Sequence, residues 1–344
     1  MRFPDFENGL LKVLKNDIPN RPTLFEFYMN PEIYKRLAGE KIVSMTDELA
    51  EYRLLIHAFR NAGFDHASVL GSTFSFDIKS EFEHKETRSL NVPPKITDRE
   101  SFDSFLWPDP EGFDYSKLEK IGKELIDGMK LIVWGPGGVL EDVMDLVGFD
   151  NLCIMFYDEP ALAESLFEAV GSRLVKYYEI SASFDTVGAC ISNDDWGFKT
   201  QTLISPELLR KYVFPWHKKI VEACHKYDKP VILHSCGQLD EVMDDIVFDM
   251  CYDAKHSFED TIIPVENAYE KWHDRIALLG GIDMDFICRK ATKEEIGLRA
   301  RNMLERTKER GGYALGTGNT VAPYLQDERF FAMTSVVTPP IFGE

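Results

Sequence analysis

The sequence predicts an α/β fold, a single (β/α)8 TIM-type barrel over residues 1–344, with an N-terminal helical lead-in and an insertion after the second strand. Three observations carry this reading. Eight short apolar runs alternate with longer amphipathic stretches. Most runs are followed closely by Gly, Asp, Asn or His, which belong to loops and sites rather than to strands. Composition does not shift along the 344 residues, a length that fits one barrel with insertions. Periodicity alone does not separate a closed barrel from a doubly wound open sheet.

The stretch before Thr23 reads as the lead-in helix. Predicted strands cover residues 23–28, 67–70, 131–134, 186–191, 231–234, 250–254, 276–279 and 313–315. In the first, alternation sets Leu24, Glu26 and Tyr28 on one face and Phe25 and Phe27 on the other. A glutamate inside an apolar strand is costly unless paired or bound. Glu26 is therefore either satisfied by a buried base or placed at the barrel mouth as a ligand or catalytic base. Residues 75–110, with the charged run from Lys79 to Glu86, are polar and aperiodic and read as the insertion, a lid or plain packing over the mouth. Helices show clear starts. Glu159-Pro160 opens a long one through Leu162, Leu166, Val170 and Leu174. Ser205-Pro206-Glu207 is an N-cap, a first-turn proline and an acid. Thr292 and Glu295 form a capping box ahead of Ile296, Ala300 and Met303.

Global numbers narrow the function. A hydrophobic content of 44% supplies a large core. No apolar run approaches the roughly 18 residues of a membrane span, and the first residues lack a signal-peptide pattern. Six cysteines without disulfide-like spacing predict a reduced, cytoplasmic protein. The net charge of −19 argues against nucleic acid, whose phosphates need a basic face.

Chemistry is expected at the strand ends. In Val231-Ile232-Leu233-His234-Ser235-Cys236-Gly237 the extended backbone points His234 and Cys236 the same way, about 6–7 Å apart. An imidazole and a thiol projecting together suit a soft tetrahedral metal such as zinc. After the fourth strand comes Asn193-Asp194-Asp195-Trp196-Gly197, then Gln201. Adjacent carboxylates in a partly dry cleft push one pKa up, which suits proton transfer, so Asp194 and Asp195 are catalytic candidates with Glu26. His256 leaves the sixth strand as His234 leaves its own and is a third metal candidate. Tyr28, Trp196, Gln201 and Asn319 are the candidates for substrate contact. The Gly280-Gly281 and Gly316–Asn319 turns are tight turns or anion-binding amides.

The motifs HSCG at 234–237, NDDWG at 193–197 followed by Ser205-Pro206 and Pro215, GGID at 280–283 and GTGN at 316–319 resemble those of the uroporphyrinogen decarboxylase superfamily, in order over most of the chain. That resemblance implies one (β/α)8 barrel with its pocket at the carboxyl ends of the strands. It also implies one of two activities. The porphyrin decarboxylase branch carries an arginine-rich N-terminal segment for substrate carboxylates. Here the matching stretch, residues 21–29, holds only Arg21 as a base and sets Glu26 beside it, unfavourable for an octa-anion. The methyltransferase branch moves methyl groups to or from a corrinoid protein, often with zinc, and its H-x-C ligands correspond to His234 and Cys236. Its third ligand, a cysteine near the end of the last strand, is absent from residues 314–319. Glu26, His256, Asp194 or Asp195 then completes the shell, and such an oxygen-containing shell suits Lewis-acid catalysis. The resemblance thus implies a zinc-dependent methyltransferase with a small-molecule methyl donor or acceptor and a corrinoid-protein partner. The alternatives are a decarboxylase-like lyase using Asp194 or Asp195 without metal, and a corrinoid-protein-binding relative without catalysis.

Overall fold

A computed structural model describes residues 2–76 and 94–343. Seven parallel strands form one curled sheet in chain order: β1 (His66–Leu70), β2 (Lys130–Trp134), β3 (Val187–Asn193), β4 (Val231–His234), β5 (Ala254–His256), β6 (Ala277–Leu279) and β7 (Tyr313–Ala314). Each strand is almost wholly buried, as parallel strands covered by helices are. The helical starts read from sequence are formed. Ser205 Oγ accepts from Leu208 N, the Thr292–Glu295 capping box closes in both directions, and the helix Pro160–Ala182 buries Leu162, Leu166, Val170 and Leu174.

Two apolar layers result. The larger lies between helices and strands. The smaller fills the concave side of the sheet with Ile132, Ala189, Ile191, Ile232, Ala254, Ala277, Leu279 and Ala314. Alanines leave room there for Phe25 and Phe27, and for Phe6, Leu10, Val13 and Leu14 of the N-terminal segment. That segment plugs the amino ends of the strands. Phe6 N bonds Gly128 O ahead of β2, and Arg2 and Arg21 both pair with Asp65 ahead of β1.

Two expectations need correction. Residues 23–28 form no regular eighth strand; among the described residues seven strands are found. The segment does lie between β7 and β1. Phe25 N bonds Leu315 O and Leu315 N bonds Thr23 O on one side. On the other, the side chains of His66 and Ser68, not their backbone, reach Glu26 O, so no ladder propagates to β1. The predicted sixth strand is displaced: residues 250–253 close a π-helical turn, with Cys251 at φ 59°, and pairing begins at Ala254. His256 consequently lies within β5, in register with His234. Of the predicted insertion, residues 94–110 contain the capped helix Arg99–Ser104, and the run from Lys79 to Glu86 falls outside the described residues.

Candidate metal centre

Pleat parity decides what faces the concave side. Ile191, Ile232 and Ala254 point there, so Asn193, His234 and His256 follow two residues on. Beyond the strand ends the pairing continues through Asp194 N to His234 O, Gly197 N to Cys236 O and Ser235 N to His256 O. This sets Asp195 beside Cys236, whose backbone N–H donates to Asp195 Oδ1 at 2.8 Å. The turn needs Gly237. Its φ is +85°, and a side chain there would strike Gly197.

Asp195, His234 and Cys236 each offer a donor atom, and the three atoms lie within 4.8 Å of one another. His234 Nε2 stands 3.8 Å from Cys236 Sγ. A tetrahedral zinc with bonds of about 2.3 Å to sulfur and 2.0 Å to nitrogen holds two such donors about 3.5 Å apart. The residues present therefore fit a divalent metal. Burial pushes the Cys236 thiol well above its usual range, with the Asp195 charge adding to it, and drives the His234 imidazole down to about 3. Both shifts keep the unloaded site short of charge, which a cation would restore.

Around the triad, Asn319 Nδ2 donates to Cys236 Sγ at 3.3 Å and its Oδ1 accepts from Thr320 N. Ser257 Oγ lies 3.7 Å from the same sulfur. His256 is behind His234 rather than beside it, with Nδ1 to Nδ1 at 2.8 Å and Nε2 on Thr317 O at 3.2 Å. Phe27 packs on the His234 ring and Phe25 on the His256 ring. A cavity of about 320 Å³ opens next to Asn319, lined by Phe258, Glu259, Asp283, Cys288 and Tyr324.

Several expected site residues sit elsewhere. Asp194 points away from Asp195 into the helical layer, fully buried. Its carboxylate accepts from Leu140 N and Glu141 N at the start of the helix Val139–Val147, and from His217 Nε2. The two acids do not act as a facing pair. Gly138 is required by this contact, because a Cβ there would overlap Asp194. Glu26 is buried and faces neither base nor triad. Thr317 N donates to Glu26 Oε1 and the Thr317 hydroxyl lies on Oε2, each at 2.7 Å, and burial raises the carboxyl to about 8. The Gly316–Asn319 turn thus offers its amide to this side chain. Trp196 packs between Phe214 and His217 with no exposed surface. Gln201 lies on an exposed turn, and Tyr28 is 41% exposed beside Trp134.

Two features escaped the sequence reading. Ser192, His217, Asp194 and Tyr252 join in one buried hydrogen-bonded group, a Ser-His-Asp arrangement closed off from solvent. Lys255 is only 4% exposed, and burial lowers its ammonium to about 8. Its Nζ donates to Ser257 O at 2.7 Å and lies over the Phe258 ring. A lysine in a short buried strand was the available signal.

The His–Cys–Asp donor cluster thus lies at the carboxyl ends of the strands of a parallel β/α sheet, the face on which α/β folds as a class carry their ligands. The family model for uroporphyrinogen decarboxylase (URO-D) matches residues 52–339, and the chain belongs to that family. Its fold is similar to that of a methyltransferase from Methanosarcina mazei, with a TM-score of 0.71 at 14% identity over 95% of this chain and 96% of the other. A protein from Listeria monocytogenes described as a vitamin-B12-independent methionine synthase aligns over 92% of this chain and 97% of its own, at 12% identity and a TM-score of 0.49. A search of curated proteins finds no matching relative. Among the described residues, no helix is long and apolar enough to cross a membrane.

Proposed function

We propose that this chain is a zinc-dependent methyltransferase that works with a corrinoid protein on a small-molecule methyl donor or acceptor. The convergence of Asp195, His234 and Cys236 carries the reading. It is supported by membership of the uroporphyrinogen decarboxylase family and by the resemblance of His234 and Cys236 to the H-x-C ligands of the methyltransferase branch. The missing family cysteine is answered by Asp195, so the shell holds one sulfur, one nitrogen and one oxygen donor. Bound there, a divalent metal supplies a Lewis acid for the leaving atom of a methyl ether or amine. The residues of the chain do the rest. Asn319 donates to the sulfur and restrains its charge, Asp195 is oriented by the Cys236 amide, and the cavity beside Asn319 holds the small molecule. The barrel reading is part of this proposal, with residues 23–28 as an irregular eighth stave. One observation speaks against the porphyrin decarboxylase. Arg21 is spent on Asp65 and Phe3 O at the opposite end of the strands.

Metal analysis tests the proposal. Protein purified without a metal-affinity column is expected to carry about one zinc per chain. His234→Ala, Cys236→Ala and Asp195→Ala are each expected to lose it. Reduced cobalamin, mixed with methylated amines, ethers or thiols, is expected to change its absorbance only with the loaded wild type. Wild type without metal, after zinc is supplied, would sink the reading.

A further inference from the structure

Two buried histidines stand nitrogen to nitrogen behind the triad, and their surroundings dictate where each proton lies. His234 Nδ1 and His256 Nδ1 are 2.8 Å apart. At that distance two N–H groups would collide and two lone pairs would repel, so one proton lies between them. The direction is set at the far side of His256. Its Nε2 lies 3.2 Å from the Thr317 carbonyl, which only accepts, so Nε2 carries a proton. A second proton on this ring would make a buried imidazolium packed against the Phe25 ring, a carbonyl and another histidine, none of which repays the lost hydration. His256 Nδ1 is therefore the acceptor and His234 Nδ1 the donor. The remaining nitrogen, His234 Nε2, is left with its lone pair on the side of Cys236 Sγ.

We propose that His256 is a positioning residue which, anchored on the Thr317 carbonyl, holds His234 in the tautomer protonated on Nδ1 and so aims the Nε2 lone pair at Cys236 and Asp195. The anchor is itself fixed. Thr317 is gripped from behind through its amide and hydroxyl by Glu26, and Gly281 N donates to the same carbonyl at 2.9 Å. A metal takes only an unprotonated imidazole nitrogen. His256 thus does for this site what a carboxylate or carbonyl does behind most ligating histidines. The inference rests on the metal reading for its purpose, though not for its geometry.

The test uses the full chain labelled with ¹⁵N-histidine and freed of metal, in long-range ¹H–¹⁵N spectra, the His234 signals being assigned by their loss in His234→Gln. His234 is expected to show a protonated Nδ1 and a bare Nε2. Zinc affinity, read by competition with a chromophoric chelator, is expected to fall about 10–100-fold in His256→Phe. His256→Gln, whose amide oxygen accepts from His234 Nδ1, is expected to recover part of that loss. A wild-type His234 protonated on Nε2 would overturn the proposal whether or not the variants fold. So would unchanged zinc affinity in both variants. A wild type with the expected tautomer but no zinc uptake sustains the proton arrangement and removes the metal reading instead.

Discussion

At the residue scale, Glu26 shows how burial converts an expected charge into a structural acid. The Thr317 hydroxyl lies 2.7 Å from Glu26 Oε2 and 2.5 Å from Asn319 O. One hydroxyl proton cannot serve both, and the carbonyl has none to offer, so Glu26 brings its own. The groups facing it are Tyr34 and Tyr313, while His66 meets only its backbone carbonyl, and among the described residues no cation holds it as a carboxylate. The folded carboxyl, at about 8, stands above its ordinary 4.5. Below pH 4.5 both states hold the proton and stability is full. Between there and pH 8 only the unfolded chain releases it, so stability falls as pH rises and then levels. Glu26→Gln keeps the hydrogen-bond pattern and removes the titration. Urea denaturation from pH 4 to 9 is expected to show the variant more stable above pH 8, by about 3–5 kcal/mol at 1.36 kcal/mol per pH unit. A variant with the same pH profile as wild type would refute the buried acid.

At the scale of elements, alternation along the strands decided more than motif type. Asp194 and Asp195 are adjacent and chemically alike, and the motif gives both to the site. The pleat separates them: Ile191, Asn193 and Asp195 lie on the side of His234 and Cys236, while Ser192 and Asp194 lie on the side of the helices. The same parity carries Lys255 outward and His256 inward. It was legible once β3 was extended to Asn193, two residues past its apolar run. Asp194 then serves as a tertiary cap for the helix Val139–Val147, where a carboxylate meets unpaired N–H groups. Asp194→Asn turns an amide N–H toward a donor and weakens the His217 contact. Thermal or urea unfolding is expected to show a loss of about 2–4 kcal/mol, with metal stoichiometry retained. Loss of metal without loss of stability would return Asp194 to the site.

At the scale of the molecule, the N-terminal segment is part of the interior. Leu10 is fully buried among the inward alanines of the strands, so its truncation leaves a cavity that rigid strands do not close. Leu10→Ala is expected to cost about 2–4 kcal/mol in urea with little change in m, and to leave metal content intact. A neutral result would mean that the segment is only an appendage. By itself the sequence determined the fold class, seven of the strands to within a few residues, the starts of three helices and the pairing of His234 with Cys236. Each of these is written in local alternation, in turn chemistry or in a two-residue spacing along one strand. Only the tertiary structure decided that Asp195 joins them, that His256 stands behind and that Glu26 is sealed against Thr317. Those three relations join segments far apart in the chain, and no local period records which strand edge will lie against which. Curling of the sheet around Phe25 and Phe27 brings them together, and packing, not propensity, sets that distance.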